Sequence, residues 1–265
     1  MPESSPDAPV AIVTGSGTGI GAAVAEHLAD RGWNLVINYS ASSAEAEATA
    51  ARIVDRGAQA ALLRADVSRD ADCIALADTA ARRWGRIDAL VNNAGVTASC
   101  PPQDLDGLQA EDFQRLMSVN VVGAYQMIRA CVPLLRQSGR GAIVNMSSQA
   151  GFSGLGSSVA YAASKAAINN MTMAFARSLA PDIRVNAVCP GFVNTRWVRG
   201  GMDEQTYGRF RQRIERMTPL ERMTEASEVA EVVHFLLATG APITGELLGV
   251  DGGNHLTVNA PVFED

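Results

Sequence analysis

Val10-Ala11-Ile12-Val13-Thr14-Gly15-Ser16-Gly17-Thr18-Gly19-Ile20-Gly21 is the stretch that decides the fold. It joins a short apolar run to a glycine-rich turn, and a helical pattern follows at residues 22–31. Such a turn between strand and helix lets the backbone approach a pyrophosphate, whose charge the helix N-terminus stabilises. The stretch therefore predicts a dinucleotide-binding turn. The alternative is a tight turn that only packs the helix against the strand.

Apolar runs and helical patterns alternate along the rest of the 265-residue chain. Further strands are predicted at residues 35–39, 60–67, 87–91, 142–146, 183–189 and 246–253, the last with a loop. Helices are predicted at residues 44–56 and 70–84, and a long one carries Phe113, Met117, Val121 and Tyr125. This alternation is typical of an α/β fold with a parallel sheet, and the length suits one domain.

The second predicted strand ends without the acidic residue that would hold the adenosine ribose of NAD. Tyr39, Ser40, Ala41 and Ser42 stand at that place. No carboxylate there repels a 2′-phosphate, and hydroxyl groups can hydrogen-bond one, with Ser16 as a further donor. The pattern favours NADP, with NAD as the second choice.

Other polar positions lie near the predicted cofactor site. Asp66 ends the third strand, where it can accept a hydrogen bond from an adenine amino group or else cap the next helix. Asn92-Asn93-Ala94-Gly95 follows the fourth strand and allows close backbone packing beside a cofactor. Asn120 lies among the apolar residues of the long helix, where an unpaired polar group is costly. It is either a structural residue or one that holds a water or bends the helix.

A polar trio follows the strand at residues 142–146. Ser148 comes at the strand end, and Tyr161 and Lys165 are spaced to lie one turn apart on one helix face. Strand ends and following helices face one crevice in an open α/β sheet, so the three side chains can converge. The ammonium group should then lower the pKa of the phenol and make it a usable proton donor and acceptor. The alternative is a packed aromatic residue beside a solvated lysine.

Composition limits the class of protein. The net charge is −6 and no long basic run occurs, which argues against nucleic acid or an anionic membrane as a partner. Cys73, Cys100, Cys131 and Cys189 are widely spaced and predict buried free thiols, with no metal site. The start of the chain is polar and acidic, unlike a signal peptide, so we expect a cytoplasmic protein.

Eight blocks, in order and at matching spacing, resemble the short-chain dehydrogenase/reductase family over nearly the whole chain. They are Thr14-Gly15-x-x-x-Gly19-x-Gly21, Asp66-Val67, Asn92-Asn93-Ala94-Gly95, Asn120, Ser148, Tyr161-x-x-x-Lys165, Pro190-Gly191 and Thr195. In detail the chain is similar to 3-oxoacyl-acyl-carrier-protein reductases and related ketone reductases. The resemblance implies a single-domain Rossmann fold, with a seven-stranded parallel sheet and helices on both faces, and a homotetramer.

The resemblance also implies the roles of the site residues. Ser148 would orient the substrate carbonyl, Tyr161 would exchange the proton, Lys165 would bind the nicotinamide ribose, and Asn120 would support a proton-relay water. Residues 8–190 would mainly bind the cofactor. Its expected contacts are Gly15, Ser16, Thr18, Gly19, Ile20, Gly21, Tyr39, Ser40, Ala41, Ser42, Asp66, Val67, Asn92, Ala94, Gly95, Tyr161, Lys165, Pro190, Gly191, Val193 and Thr195.

Two departures from the family pattern bear on the ligands. Many NADP-preferring members carry Arg or Lys immediately before the middle glycine, where this chain has Thr18. The preference for NADP therefore rests on Tyr39 and the serines. Acyl-carrier reductases usually have a longer, arginine-containing link after the Tyr-Lys helix, whereas residues 178–183 are short and lack arginine. This second departure weakens the case for a carrier-protein substrate.

Residues 191–220 form the predicted substrate loop. The segment contains six arginines: Arg196, Arg199, Arg209, Arg211, Arg213 and Arg216. One or two of them could meet an anionic substrate, but the favoured interpretation is a solvated lid face that pairs with Glu204 and Glu215. Trp197, Met202, Tyr207 and Phe210 are candidates to line an apolar pocket.

The sequence thus predicts an NAD(P)(H)-dependent oxidoreductase that interconverts a ketone and a secondary alcohol, favouring carbonyl reduction with NADPH on a small-molecule substrate. One alternative is an NAD-dependent polyol or sugar dehydrogenase. The other is a catalytically silent nucleotide-binding regulator, which would have no need of the Ser148, Tyr161 and Lys165 set.

Overall fold

A computed structural model describes residues 7–238 and 242–257 of the chain. Within these residues, all strands pair in parallel in one seven-stranded sheet of order β3-β2-β1-β4-β5-β6-β7. The strands are β1 (Val10–Val13), β2 (Asn34–Tyr39), β3 (Ala60–Arg64), β4 (Ala89–Asn92), β5 (Gly141–Met146), β6 (Ile183–Pro190) and β7 (Leu247–Val250). The order reverses between β1 and β4, which places a ligand crevice at their carboxyl ends.

Helices cover both faces of the sheet, as expected for a Rossmann fold. Their bounds are α1 (Gly19–Ala29), α2 (Ser43–Asp55), α3 (Asp70–Trp84), α4 (Ala110–Met117), α5 (Gly123–Gln137), α6 (Ala150–Ser153), α7 (Val159–Leu179), α8 (Arg196–Arg199), α9 (Glu204–Met217) and α10 (Ala226–Ala238). One core packs α1 and α10 against the sheet, and the other packs α3, α5 and α7 against the opposite face. The single-domain fold predicted from the sequence is confirmed.

The central strands are buried on both faces. Every residue of β1, β4 and β5 is buried, which explains why these strands are continuous apolar runs and not alternating ones. The predicted strands are right in number and order, although the third ends earlier and the fourth begins later than the sequence indicated. The cysteines are buried free thiols, as predicted. None of the described helices combines the length and apolarity needed to cross a bilayer.

The long helix predicted around Asn120 is not continuous. A π-helical turn at Ser118–Val122 separates α4 from α5. Such turns widen the helix locally and often occur at functional sites. The interpretation in which Asn120 marks a distortion of the helix therefore agrees with the structure.

Gly21 allows α1 to begin directly against the glycine-rich turn. A Cβ atom on Gly21 would lie 2.5 Å from the carbonyl oxygen of Gly15 and closer still to Nδ2 of Asn93. Both neighbours are held in place, because Asn93 Nδ2 donates hydrogen bonds to the backbone oxygens of Thr14 and Gly15. No side chain fits there without moving the turn.

We therefore expect Gly21→Ala to lower the free energy of unfolding by about 1–3 kcal/mol, the usual cost of overpacking. Gly208→Ala is the matched control, since Gly208 lies inside α9 with no atom within 4 Å of its added Cβ. Alanine should stabilise that helix by about 0.5–1 kcal/mol. Chemical denaturation measures both values, and equal effects at the two positions would contradict this account of the turn.

Candidate active site

A groove of about 540 Å³ runs along the carboxyl edge of the sheet. It gathers residues from the glycine-rich turn, from the ends of β2, β4, β5 and β6, and from α7 and α8. The predicted residues that line it are Gly15, Thr18, Gly19, Ile20, Tyr39, Ser40, Ala41, Ser42, Ala94, Gly95, Ser148, Tyr161, Lys165, Pro190, Gly191, Val193 and Thr195. The structure thus brings most of the expected cofactor contacts to one place.

Hydrogen bonds shape the floor of the groove at the switch between β1 and β4. The hydroxyl of Thr14 accepts hydrogen bonds of 3.0 Å from the backbone N–H groups of Asn93 and Ala94. Gly15 has a φ of +63°, and a Cβ on it would lie 2.9 Å from Cα of Ala94. A side chain at Gly15 would therefore fill the cradle. A bare-backbone cradle at the start of a helix fits a dinucleotide pyrophosphate.

Five predicted cofactor residues do not line the groove: Ser16, Gly21, Asp66, Val67 and Asn92. Ser16 is wholly buried; its hydroxyl donates to the Val13 carbonyl at 2.7 Å and accepts from the Asn38 N–H at 3.0 Å. Both hydrogen bonds are internal, so the predicted contact of Ser16 with a 2′-phosphate would require its hydroxyl to leave them. Its side chain ties the glycine-rich turn to β2.

Asp66 supports the local turn that precedes α3. One carboxylate oxygen accepts hydrogen bonds from the backbone and side chain of Ser68, and the Asp66 N–H donates to Asp72 at 2.8 Å. Val67 is buried, and a Cβ on Gly123 would lie 2.7 Å from its side chain. Asp66 therefore holds a turn and does not cap α3, whose N-cap is Arg69, and its contact with adenine stays a prediction.

Asn92 and Asn120 are both buried, but they differ in how their polar atoms are satisfied. Asn92 Nδ2 donates to Oδ1 of Asn145 at 2.9 Å, while Asn92 Oδ1 is among the described buried atoms that have no hydrogen-bond partner. Asn120 Oδ1 accepts from the Val96 N–H at 2.8 Å, and its Nδ2 donates to the Val96 carbonyl and to Ser164 Oγ, each at 3.0 Å. Asn120 thereby joins the loop after β4 to α7 behind the groove.

The first turns of α7 carry Tyr161 and Lys165 into the groove. Ser158 caps this helix by accepting a 3.2 Å hydrogen bond from the Tyr161 N–H. Lys165 is buried, and its Nζ donates to the carbonyl of Met146 at 2.8 Å. The same Nζ lies 5.6 Å from the centre of the Tyr161 ring. The trio of Ser148, Tyr161 and Lys165 therefore converges, as the sequence predicted.

The expected effect of Lys165 on the tyrosine pKa was wrong. Burial raises the pKa of Tyr161 to about 12, and a hydrogen bond with Ser148 opposes that rise without reversing it. Burial also lowers the pKa of Lys165 to about 8. Burial is the largest cause of both shifts, and it moves each group towards its neutral form. At neutral pH this arrangement holds Tyr161 as a phenol, which is a proton donor.

The segment after β6 forms the outer wall of the groove. Gly191 is required there, because a Cβ on it would lie 2.6 Å from Cβ of Asp251. Trp197 lines the groove with its ring centre 6.3 Å from that of Tyr161. Tyr207 is instead buried, with its hydroxyl donating to Asn194 at 2.7 Å, so the apolar-pocket hypothesis holds for Trp197 and not for Tyr207.

Two of the six arginines in this segment pair with nearby acids. Arg211 contacts Glu215 at 2.7 Å and Arg199 approaches Glu204 at 4.0 Å, in agreement with the favoured interpretation of a solvated face. Arg196 differs, because it lines the groove and reaches residues of α2. Sequence reasoning treated it as one of six similar arginines. Its position directly after Thr195 was the signal that it lies beside the cofactor site.

The described residues contain no group of three or more His, Cys, Asp or Glu side chains placed to hold a metal ion. A nicotinamide dinucleotide, in contrast, fits the residues present. The bare glycine cradle lies at one side of the groove, and the Lys165 ammonium and the Tyr161 phenol lie at the other. The Lys165 ammonium group donates one N–H to the Met146 carbonyl, and its other N–H groups can donate to ribose hydroxyl groups.

Comparison with known proteins agrees with this geometry. The family model described as enoyl-(acyl carrier protein) reductase matches residues 15–255. A Streptomyces violaceoruber protein, named as ketoacyl reductase 2 of the granaticin polyketide synthase, is 41% identical over 97% of this chain and 100% of its own. A Synechocystis protein named 3-oxoacyl-[acyl-carrier-protein] reductase is 35% identical over 93% of this chain and 96% of its own.

A solved structure gives the same result at the level of the fold. A short-chain dehydrogenase/reductase from Burkholderia xenovorans superposes with a TM-score of 0.88 at 42% identity, covering 94% of this chain and 99% of that one. Because the family match and the full-length relatives coincide with the parallel sheet and its groove, the chain belongs to the short-chain dehydrogenase/reductase family and is an NAD(P)-dependent oxidoreductase.

Proposed function

We propose that this protein reduces a ketone to a secondary alcohol with NADPH, acting on a substrate of the 3-oxoacyl type. The observation that carries the proposal is the convergence of Ser148, Tyr161 and Lys165 in the groove. The names of two full-length relatives, a ketoacyl reductase and a 3-oxoacyl reductase, support the choice of substrate. A catalytically silent regulator would have no use for this trio.

Tyr161 serves as the proton donor in this proposal. Its pKa of about 12 keeps the phenol protonated at neutral pH, so the proton is available for the carbonyl oxygen as that oxygen becomes an alcohol. Ser148 lines the same groove and acts on the pKa of this phenol, so it is placed to hold the carbonyl oxygen beside Tyr161. The bound nicotinamide cofactor supplies the hydride to the carbonyl carbon.

Lys165 has two tasks in the same scheme. Its ammonium group binds ribose hydroxyl groups, and its positive charge stabilises the tyrosinate left after the proton has moved. Asn120 is a positioning residue in this proposal. Its hydrogen bonds hold the π-helical turn against Val96 and Ser164 and thereby position α7. Trp197 provides an apolar wall for the substrate opposite Tyr161.

The remaining assignments belong to the same proposal. Residues 8–190 mainly bind the cofactor, and residues 191–220 form the substrate loop. Phe113, Met117 and Met173 expose apolar side chains on α4 and α7, which supports burial of these helices in a homotetramer. The net charge of −6 suits a cytoplasmic enzyme that does not bind nucleic acid.

Tyr161→Phe should lower kcat for ketone reduction by about 10²–10⁴-fold, the usual contribution of a general acid. The Kd for NADPH should stay within about threefold of native, since only a hydroxyl is removed. Tyr125→Phe makes the same change on an exposed residue of α5 and should retain native turnover. Steady-state kinetics and a fluorescence titration measure these effects. Near-native turnover in Tyr161→Phe would show that another group supplies the proton.

The pH dependence should differ between the two directions of reaction. Lys165, whose pKa is lowered to about 8, loses its charge above that pH, so kcat/KM for reduction should be level near neutrality and fall above pH 8. Alcohol oxidation needs Tyr161 ionised, so its kcat/KM should rise from neutrality towards pH 8, where reduction is still level, because the raised pKa of that phenol leaves its ionised fraction growing with pH. The test is a pair of pH profiles under conditions where chemistry is rate-limiting. Superimposable profiles would contradict the assignment of both groups.

NADPH should be preferred over NADH by about tenfold or more, which corresponds to about 1.4 kcal/mol. The reason is that the groove segment after β2 offers hydroxyl groups on Tyr39, Ser40 and Ser42 and no carboxylate. Tyr39→Asp should shift the preference towards NADH by adding repulsion. The ratio of kcat/KM with the two cofactors measures both effects, and a native ratio that favours NADH would support the dehydrogenase alternative.

A further inference from the structure

Arg196 bridges the two walls of the groove. Its guanidinium group donates to Ser42 Oγ at 2.9 Å and to Glu45 Oε1 at 2.8 Å. Arg196 begins the short helix α8 of the substrate loop, whereas Ser42 and Glu45 lie at the start of α2, about 150 residues earlier in the chain. The side chain therefore joins the substrate loop to the segment that follows β2.

The contact between Arg196 and Ser42 lies close to the proposed cofactor site. Ser42 belongs to the segment that would bind the adenosine ribose in the proposed function. Tyr39, Ser40, Ala41 and Ser42 line the same groove as Arg196. A phosphate on the 2′ position of that ribose would lie among these hydroxyl groups. A guanidinium within hydrogen-bond distance of Ser42 Oγ is thus within reach of such a phosphate.

Charge at this end of the groove is otherwise sparse. Lys165 and Arg196 are the cations among the described residues that line the groove, and Lys165 lies at the opposite end beside Tyr161. Thr18 occupies the position where a cation would be expected in the glycine-rich turn. Arg64 donates to the Ser40 carbonyl at 3.2 Å but does not line the groove.

The contact between Arg196 and Glu45 can be exchanged for another at little cost. The two side chains are 54% and 49% exposed, and exposed ion pairs contribute little to stability. A hydrogen bond from its own backbone N–H, followed by the one from Arg196, lowers the pKa of Glu45, so this carboxylate is charged at neutral pH and would repel a nearby phosphate. Arginine is well suited to the exchange, because its planar group binds phosphate with two parallel hydrogen bonds.

We propose that Arg196 binds the 2′-phosphate of NADPH and adds a selective positive charge to the hydroxyl groups at the end of β2, with Glu45 as the counterion that the phosphate replaces. The inference rests on the proposed use of NADPH. It assigns the selective cation to the substrate loop and not to the glycine-rich turn or the end of β2. Cofactor choice and the position of the substrate loop are thereby linked through one side chain.

The test measures Kd for NADPH, for NADH and for adenosine 2′,5′-bisphosphate by fluorescence titration and competition, without turnover. Arg196→Ala should raise the Kd for NADPH and for the bisphosphate by about tenfold or more, as expected for a lost charge-assisted contact. The Kd for NADH should change by less than about threefold. Glu45→Gln should lower the Kd for NADPH, since this change removes the carboxylate that competes for Arg196. The effect of Arg196→Ala should shrink as salt rises.

Arg199→Ala is the matched control. Arg199 lies in the same short helix, but its guanidinium stacks on Tyr207 at 4.4 Å and its nearest acid is Glu204. The inference predicts no change in the ratio of the NADPH and NADH affinities for this variant. If Arg196→Ala lowered the affinity for NADPH and for NADH equally, or lowered neither, the inference would be overturned.

These outcomes are distinct from failure of the proposed function. If the native protein binds NADPH more tightly and Arg196→Ala leaves the ratio unchanged, the inference fails and the proposed use of NADPH stands. If the native protein favours NADH, the proposed cofactor is wrong. A selective effect of Arg196→Ala on the bisphosphate would still identify Arg196 as a phosphate-binding residue.

Discussion

The hydrogen bond from Lys165 Nζ to the Met146 carbonyl is the contact on which the site depends. It joins α7 to the end of β5 at 2.8 Å in a buried position. A buried ammonium group is costly without partners, so this contact restrains where α7 can lie. Ser147 strengthens the junction by donating to Asn169 Oδ1 at 2.6 Å. With β5 and α7 fixed in this way, Ser148 and Tyr161 necessarily share one wall of the groove.

Desolvation then sets the chemistry of the groups that this junction holds. A phenol whose pKa is raised to about 12 and an ammonium group whose pKa is lowered to about 8 are both pushed towards their neutral forms. Such opposed shifts in neighbouring groups are typical of acid–base sites. The buried network of Asn120 adds rigidity behind them, because its amide joins Val96 to Ser164. The scaffold thus holds the proton donor Tyr161 beside the ammonium group of Lys165, which is placed to bind a ribose.

Local sequence patterns predicted the strands and the glycine-rich turn, and the family resemblance added the seven-stranded sheet and the roles of the site residues. Continuous apolar runs identified β1 and β5 because parallel strands are covered on both faces, and the glycine spacing identified the cradle because only glycine fits it. What could not be predicted depends on contacts between distant residues. The Ser16 hydroxyl accepts a hydrogen bond from the Asn38 N–H inside the fold. The Arg196 guanidinium crosses the groove and donates to Ser42, directly before α2. The balance of burial and charge at Tyr161 likewise depends on the assembled core.

NMR of the protein with 13C-labelled tyrosine shows whether the assembled site holds Tyr161 as a phenol proton donor. The four tyrosines give few signals, and Tyr161→Phe identifies the one of interest. This signal should keep its phenol position up to about pH 10, where an ordinary tyrosine is half ionised. A Tyr161 signal that moves to the phenolate position below about pH 9 would contradict this assignment, because the ammonium of Lys165 would then outweigh burial.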